Sequence, residues 1–190
     1  MKVKALTCGV AALIFSSTAS AGRPAAASAP AACRLSQFVV ALGPYVSEEG
    51  QQHTLALRLI NRAPRSCVLY GYPHVALDDE TGAIPFPIRD GGDEMISARQ
   101  PRRVVVRADG AAFVVLNKSA CVRGVLPGSR AATRLRIRAP RGPSAEVASL
   151  VFPKQMPFRW RVPDYCGKGD PVSIITVSPF AQTTRAALGF

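Results

Sequence analysis

His53-Thr54-Leu55-Ala56-Leu57-Arg58-Leu59-Ile60-Asn61 decides the class of the fold. Leu55, Leu57 and Leu59 recur at every second position, with Thr54, Ala56 and Arg58 between them. Successive side chains of an extended chain point to opposite faces, so a period of two marks a strand with one buried face. Asn61-Arg62-Ala63-Pro64-Arg65-Ser66 then ends it, since Pro64 has no N–H to give to a ladder.

The pattern repeats in both directions. Upstream, Phe38 to Leu42 is apolar and closes on Gly43-Pro44. Downstream come strands from Cys67 to Tyr70 and from His74 to Leu77, and a hairpin-like reversal of several residues over Asp78-Asp79-Glu80-Thr81-Gly82. A loop runs from Asp90 to Arg99. Strands follow over Arg103 to Arg107 and Ala111 to Leu116, with Asp109-Gly110 as the turn between them. Arg134, Arg136 and Arg138 alternate with Leu135 and Ile137, and Arg159 and Arg161 alternate with Phe158, Trp160 and Val162. Val172 to Val177 is apolar on both sides, as expected of a central strand. No stretch holds a 3.6-residue period over three turns, and the 16 prolines would interrupt one in most places. Strands with regular turns and no intervening helices predict an all-β fold. The expected form is an immunoglobulin-like β-sandwich of about seven to nine short antiparallel strands, stapled by disulfides. The Cys–Trp–Cys core of antibody domains is absent.

The first residues have a different logic. A basic start (Lys2, Lys4), an apolar stretch from Ala5 to Phe15, and small residues ending in Ala19-Ser20-Ala21 form the three parts of a secretory signal peptide over residues 1–21. The apolar stretch is too short to remain as a span of the membrane. Residues 22–32, rich in Ala, Ser and Pro, read as a flexible tether. A single domain is expected over residues 33–180 and a C-terminal tail over 181–190. The mature chain is therefore expected to be extracytoplasmic, in the periplasm or released. Removal of the leader takes Cys8 and leaves Cys33, Cys67, Cys121 and Cys166. An even number of cysteines in an exported chain implies disulfides, and spacing alone leaves three connectivities open.

Candidate chemistry is sparse. No two cysteines are spaced as zinc ligands, and neither His53 nor His74 has a ligand-spaced partner, so no metal and no cofactor is expected. Neither histidine lies in a nucleophile motif, and no G-x-S-x-G occurs. The run Asp78, Asp79 and Glu80 lacks the spacing of a calcium loop, and acids are common in turns because they bond their own backbone. Asn117-Lys118-Ser119 has the form of a glycosylation acceptor and is expected to be exposed.

Charge is more informative. The chain holds 24 Lys and Arg against 12 Asp and Glu, a formal +12, and loses only Lys2 and Lys4 with the leader. Arg134, Arg136, Arg138, Arg159 and Arg161 fall on solvent faces of their strands and, were those strands neighbours, would form a cationic stripe. Such a field draws anionic partners. Specific nucleic-acid recognition is not expected, because the tyrosines do not interleave with a basic patch.

Several stretches together resemble a known family, the secreted or lipid-anchored bacterial domains of unknown function 4232. They are Cys33-Arg34 with the strand of Gln37 to Leu42; Leu57 to Asn61, Cys67 and Leu69-Tyr70-Gly71-Tyr72-Pro73; Val104 to Arg107, Asp109-Gly110 and Ala112 to Leu116; then Cys121, Leu135 to Pro140, Cys166 and Val177-Ser178-Pro179-Phe180. Asn61 to Pro73 is the most specific part. The resemblance implies a β-sandwich with two disulfides, favours the sequential pairing Cys33–Cys67 and Cys121–Cys166, and brings no known activity or catalytic residue. Three functions follow as expectations. The first is a non-enzymatic interaction module that meets anionic cell-envelope components. The second is a secreted hydrolase using His53 or His74 with acids of the 78–80 turn. The third is a structural or assembly factor for another exported protein.

Overall fold

The computed structural model describes residues 29–46, 52–121, 130–141, 146–154, 163–168 and 170–190. The leader expected over 1–21, the tether up to residue 28, and the alternating segment that carries Arg159 and Arg161 lie outside these residues. In chain order the strands are β1 (Phe38–Leu42), β2 (Gln52–Asn61), β3 (Cys67–Leu69), β4 (His74–Asp79), β5 (Gly82–Ile84), β6 (Ile88–Asp90) and β7 (Val104–Val106). They continue with β8 (Ala111–Ser119), β9 (Arg130–Ala131), β10 (Arg134–Arg138), β11 (Val147–Val151), β12 (Asp164–Tyr165) and β13 (Ile175–Val177). One short helix, α1 (Thr184–Leu188), closes the chain.

The fold is mostly β and carries both disulfides, Cys33–Cys67 and Cys121–Cys166. Its strands form a five-stranded sheet in the order β1-β2-β8-β13-β6 and a four-stranded sheet in the order β11-β10-β4-β5, with two small ribbons, β3–β7 and β9–β12. The expectation of seven to nine antiparallel strands is corrected on two counts. Thirteen strands occur among the described residues, and β13 pairs with β6 in parallel. Of the strands not read from the sequence, β6, β9 and β12 are two or three residues long, too short for a period of two to show, and the five-residue β11 has no strict alternation of apolar and polar residues.

The alternation in β2 works as read. Leu55, Leu57 and Leu59 are at most 1% exposed, and they pair across the ladder with Leu116, Val114 and Ala112 of β8. These side chains meet Val75 and Leu77 of β4 and Leu135 and Ile137 of β10 in one core, to which Leu69, Val104 and Val106 of the β3–β7 ribbon belong. Each fully buried leucine contributes about 2 kcal/mol by removal from water. The last strand is central as expected, with all three residues of β13 buried between β8 and β6. Its start is corrected, because residues 171–173 form a 3-10 turn capped by Asp170, whose Oδ1 accepts from Val172 N at 3.0 Å. The 78–82 hairpin is tighter than expected, with Asp79 paired to Gly82 and only Glu80 and Thr81 between them.

Two segments read as loose are built into the fold. Val68 N donates to Ala31 O and Cys33 N to Val68 O, so the end of the expected tether lies along β3 as an extra extended segment. Residues 181–190, expected as a tail, hold α1. Thr183 caps it by accepting from Ala186 N, and Gly189 ends it at φ 107°, where a Cβ would stand 2.6 Å from Ser97. Ala187 and Leu188 pack with Ala56, Val115 and Ile96 on the outer face of the large sheet. That is why Ala56, on the face of β2 opposite the leucines, is also buried.

Candidate functional site

A concavity lies beside the first disulfide. Its formation begins with Gly71, whose φ of 97° turns the chain between β3 and β4. A Cβ there would stand 2.7 Å from Pro140 Cγ, so only glycine lets this turn approach the end of β10 so closely. Gly71 O also accepts from Phe180 N, which fixes the turn to the chain after β13. The result is a cleft of about 660 Å³ between the β3–β7 ribbon and the small sheet. Cys33, Val68, Leu69, Tyr70, Ala139 and Pro140 form much of its lining.

Three arginines stand around the cleft, Arg34, Arg103 and Arg141, with one carboxylate, Glu146. Arg34 Nε lies 3.1 Å from Glu146 Oε1. Arg103 and Arg141 are exposed, and neither has a carboxylate partner among the described residues. Tyr70 is 48% exposed. Sequence reasoning did not single out these arginines as a group. Their signals were only the neighbours Cys33 of Arg34 and Pro140 of Arg141, and their convergence depends on three segments far apart in the chain.

The arginines expected as a surface stripe are only partly free. Arg134, Arg136 and Arg138 lie on the outer face of β10, with Leu135 and Ile137 at 0% exposure inward. Arg136 is spent on Asp78, its Nε and Nη2 donating at 2.8 and 2.6 Å to the two carboxylate oxygens. Arg138 pairs in register with His74, which is exposed at the start of β4. Arg159 and Arg161 lie outside the described residues.

Two of the three acids proposed as partners of the histidines, Asp78 and Asp79, are engaged by arginines, while Glu80 is exposed. Arg130 of β9 clasps Asp79 and bonds Thr81 Oγ1 at 2.8 Å and Gly82 O at 3.2 Å. The Arg130 guanidinium, helped by the Thr81 hydroxyl and amide and opposed by burial, holds the Asp79 carboxyl well below the usual carboxylate range. Arginine fork bonds to a carboxylate are strong and directional, so Asp78 and Asp79 pin β9 and β10 to the hairpin.

His53 meets a different acid. It pairs across the ladder with Lys118, and the Lys118 side chain, 1% exposed, donates from Nζ to Asp164 Oδ1 at 2.9 Å. His53 Nδ1 stands 3.4 Å from the same oxygen without the alignment of a hydrogen bond. Burial pushes the Asp164 carboxyl up, but the His53 ring and the Lys118 ammonium outweigh it and hold it well below its ordinary value. His53 and Lys118 continue the leucine-bearing faces of β2 and β8, and Asp164 of β12 meets them there.

The glycosylation pattern is also corrected. Asn117 is 1% exposed, accepts from Thr54 Oγ1 at 2.8 Å, and donates from Nδ2 to Gln52 and Asp93 at 2.9 Å each. Among the described residues, no group of three or more His, Cys, Asp or Glu is placed to hold a metal. No helix among them is long and apolar enough to cross a membrane.

In comparison with family models, residues 33–181 match Domain of unknown function (DUF4232). No curated protein and no solved structure matches the chain.

Proposed function

We propose, for a chain that belongs to the DUF4232 family, the role of a non-enzymatic, exported cationic module that holds to anionic components of the cell envelope. The single observation that carries it is the cleft at the first disulfide, where Arg34, Arg103 and Arg141 gather around one carboxylate. Cations without carboxylate partners are what attract an external anion, whereas the arginines of internal ion pairs hold the fold together.

Export is supported by the leader pattern over residues 1–21 and by two disulfides, which persist in oxidising compartments. The comparison with an immunoglobulin-like sandwich rests on two sheets that share a core; the parallel β13–β6 pair and the two ribbons are departures from it. A hydrolase built on the histidines and the 78–80 turn loses support, because Asp78 and Asp79 are engaged by arginines and His53 faces Asp164.

Adsorption of the processed protein to anionic envelope fractions tests the role. Retention should be strong in dilute buffer and lost as the Debye length shrinks to about 3 Å near 1 M salt. Retention that ignores salt, or adsorption no better than that of a neutral β domain, would contradict it.

A further inference from the structure

We infer that the cleft beside Cys33–Cys67 is a binding site for an acidic saccharide, with the acid group held by Arg103 and Arg141 and the sugar ring laid against Tyr70. The inference rests on the cationic-module role and names the ligand class.

Four features of the cleft select this chemistry. Its volume of about 660 Å³ lies within the range of small-ligand sites. Two guanidiniums without carboxylate partners among the described residues are matched in geometry to carboxylate and phosphate oxygens, which they hold by paired hydrogen bonds. They also exclude a metal cation. Arg34, already turned to Glu146, supplies a third donor group at the rim together with an acceptor for hydroxyls.

The apolar part of the lining offers a surface for a sugar ring. Val68 and Leu69 are only 9% and 2% exposed. The exposed apolar surface lies at Tyr70 and Ala32 and, in part, at Cys33, Ala139 and Pro140. An aromatic side chain with an apolar body and a polar tip suits a ring that has C–H on its faces and hydroxyls at its edge. A long polyanion such as a nucleic acid would need a continuous track of cations and stacking rings. Here Arg136 and Arg130 are tied up in ion pairs on the small sheet and its hairpin.

Titration calorimetry of the processed protein tests this with four probes: an oligogalacturonate, a hexose phosphate, a neutral galactose oligomer and inorganic phosphate. The two acidic sugars should bind saturably, and the neutral oligomer about tenfold or more weakly, the ratio expected from loss of charge-assisted bonds. The double substitution R103Q/R141Q should remove about tenfold or more of the acidic-sugar affinity. Y70A should weaken both sugars and leave inorganic phosphate unchanged. R134Q/R138Q, on the outer face of β10, should leave all four unchanged, and thermal melts should show every variant folded. Equal binding of neutral and acidic oligomers would overturn the inference, as would indifference to R103Q/R141Q. So would an equal loss in R134Q/R138Q, which would mean diffuse attraction. If no sugar binds while envelope adsorption remains salt-sensitive, the inference falls and the cationic role stands; loss of both removes the role itself.

Discussion

Replacing Asn61 with alanine should be among the most damaging single changes in this fold. Asn61 ends β2, is 0% exposed, and ties three segments together. Its Nδ2 lies 3.0 Å from Arg65 O, 3.3 Å from Val106 O and 3.1 Å from Arg107 O. Its Oδ1 accepts from Gln37 Nε2 at 2.9 Å and from Ala63 N at 3.0 Å. The two amide hydrogens are shared among three carbonyls, so the side chain makes the equivalent of two donated and two accepted bonds. At about 1 kcal/mol each, with a further cost for partners left unsatisfied, Asn61→Ala should lower stability by about 3 to 5 kcal/mol. Asn61→Asp keeps the accepting side but turns an oxygen toward the three carbonyls, and should cost at least as much. Urea unfolding with both disulfides intact, at unchanged m, reads the difference. A loss under about 1 kcal/mol for alanine, or an aspartate variant as stable as the wild type, would refute the role assigned to the amide.

Acid sensitivity should trace to two carboxylates. Asp79 and Asp164 are both held below their ordinary pKa, so their folded forms bind protons less readily than the unfolded chain does. Their stabilisation is complete above the unfolded carboxylate value of about 3.9 and is lost as pH falls below it toward the folded value. Denaturation midpoints should drop in that acid range, and Asp79→Asn or Asp164→Asn should flatten the drop; an unchanged acid limb in both variants would contradict this. Asp164→Asn should in addition lower stability at pH 7 by about 2 kcal/mol, discounted for the partial exposure of Asp164, because buried Lys118 loses its counter-charge. Each disulfide closes a long loop, its cysteines being 34 and 45 positions apart in the chain. The pair replacements C33A/C67A and C121A/C166A should each cost about 4 kcal/mol by loop-closure entropy, and a loss below about 1 kcal/mol in guanidinium unfolding would show that the folded state is strained by the bridge.

Much of the fold is legible from local pattern. Leu55, Leu57 and Leu59 declare the inner face of β2, and Leu135 and Ile137 that of β10, because period two is a property of the extended chain itself. The four cysteines and the leader likewise need no tertiary information to be noticed. The β9–β12 ribbon is illegible because two residues carry no period, whereas both strands of the β3–β7 ribbon are legible and only their pairing is not. Tyr70-Gly71-Tyr72-Pro73 reads as a break in sequence, but that Gly71 shapes a cleft becomes apparent only when Pro140 stands against it.

What the chain determines alone is which side chains share a strand face; what covers each face is set by residues far away in sequence. Ala56 looks like a solvent position until Ala187 and Leu188 of α1 cover it. Asn117 looks like a surface acceptor until Gln52, Thr54 and Asp93 enclose it. Arg136 and Arg103 are indistinguishable as letters, yet one meets Asp78 and the other meets no carboxylate among the described residues. Burial and charge pairing are sums over neighbours in space, and only folding brings those neighbours together.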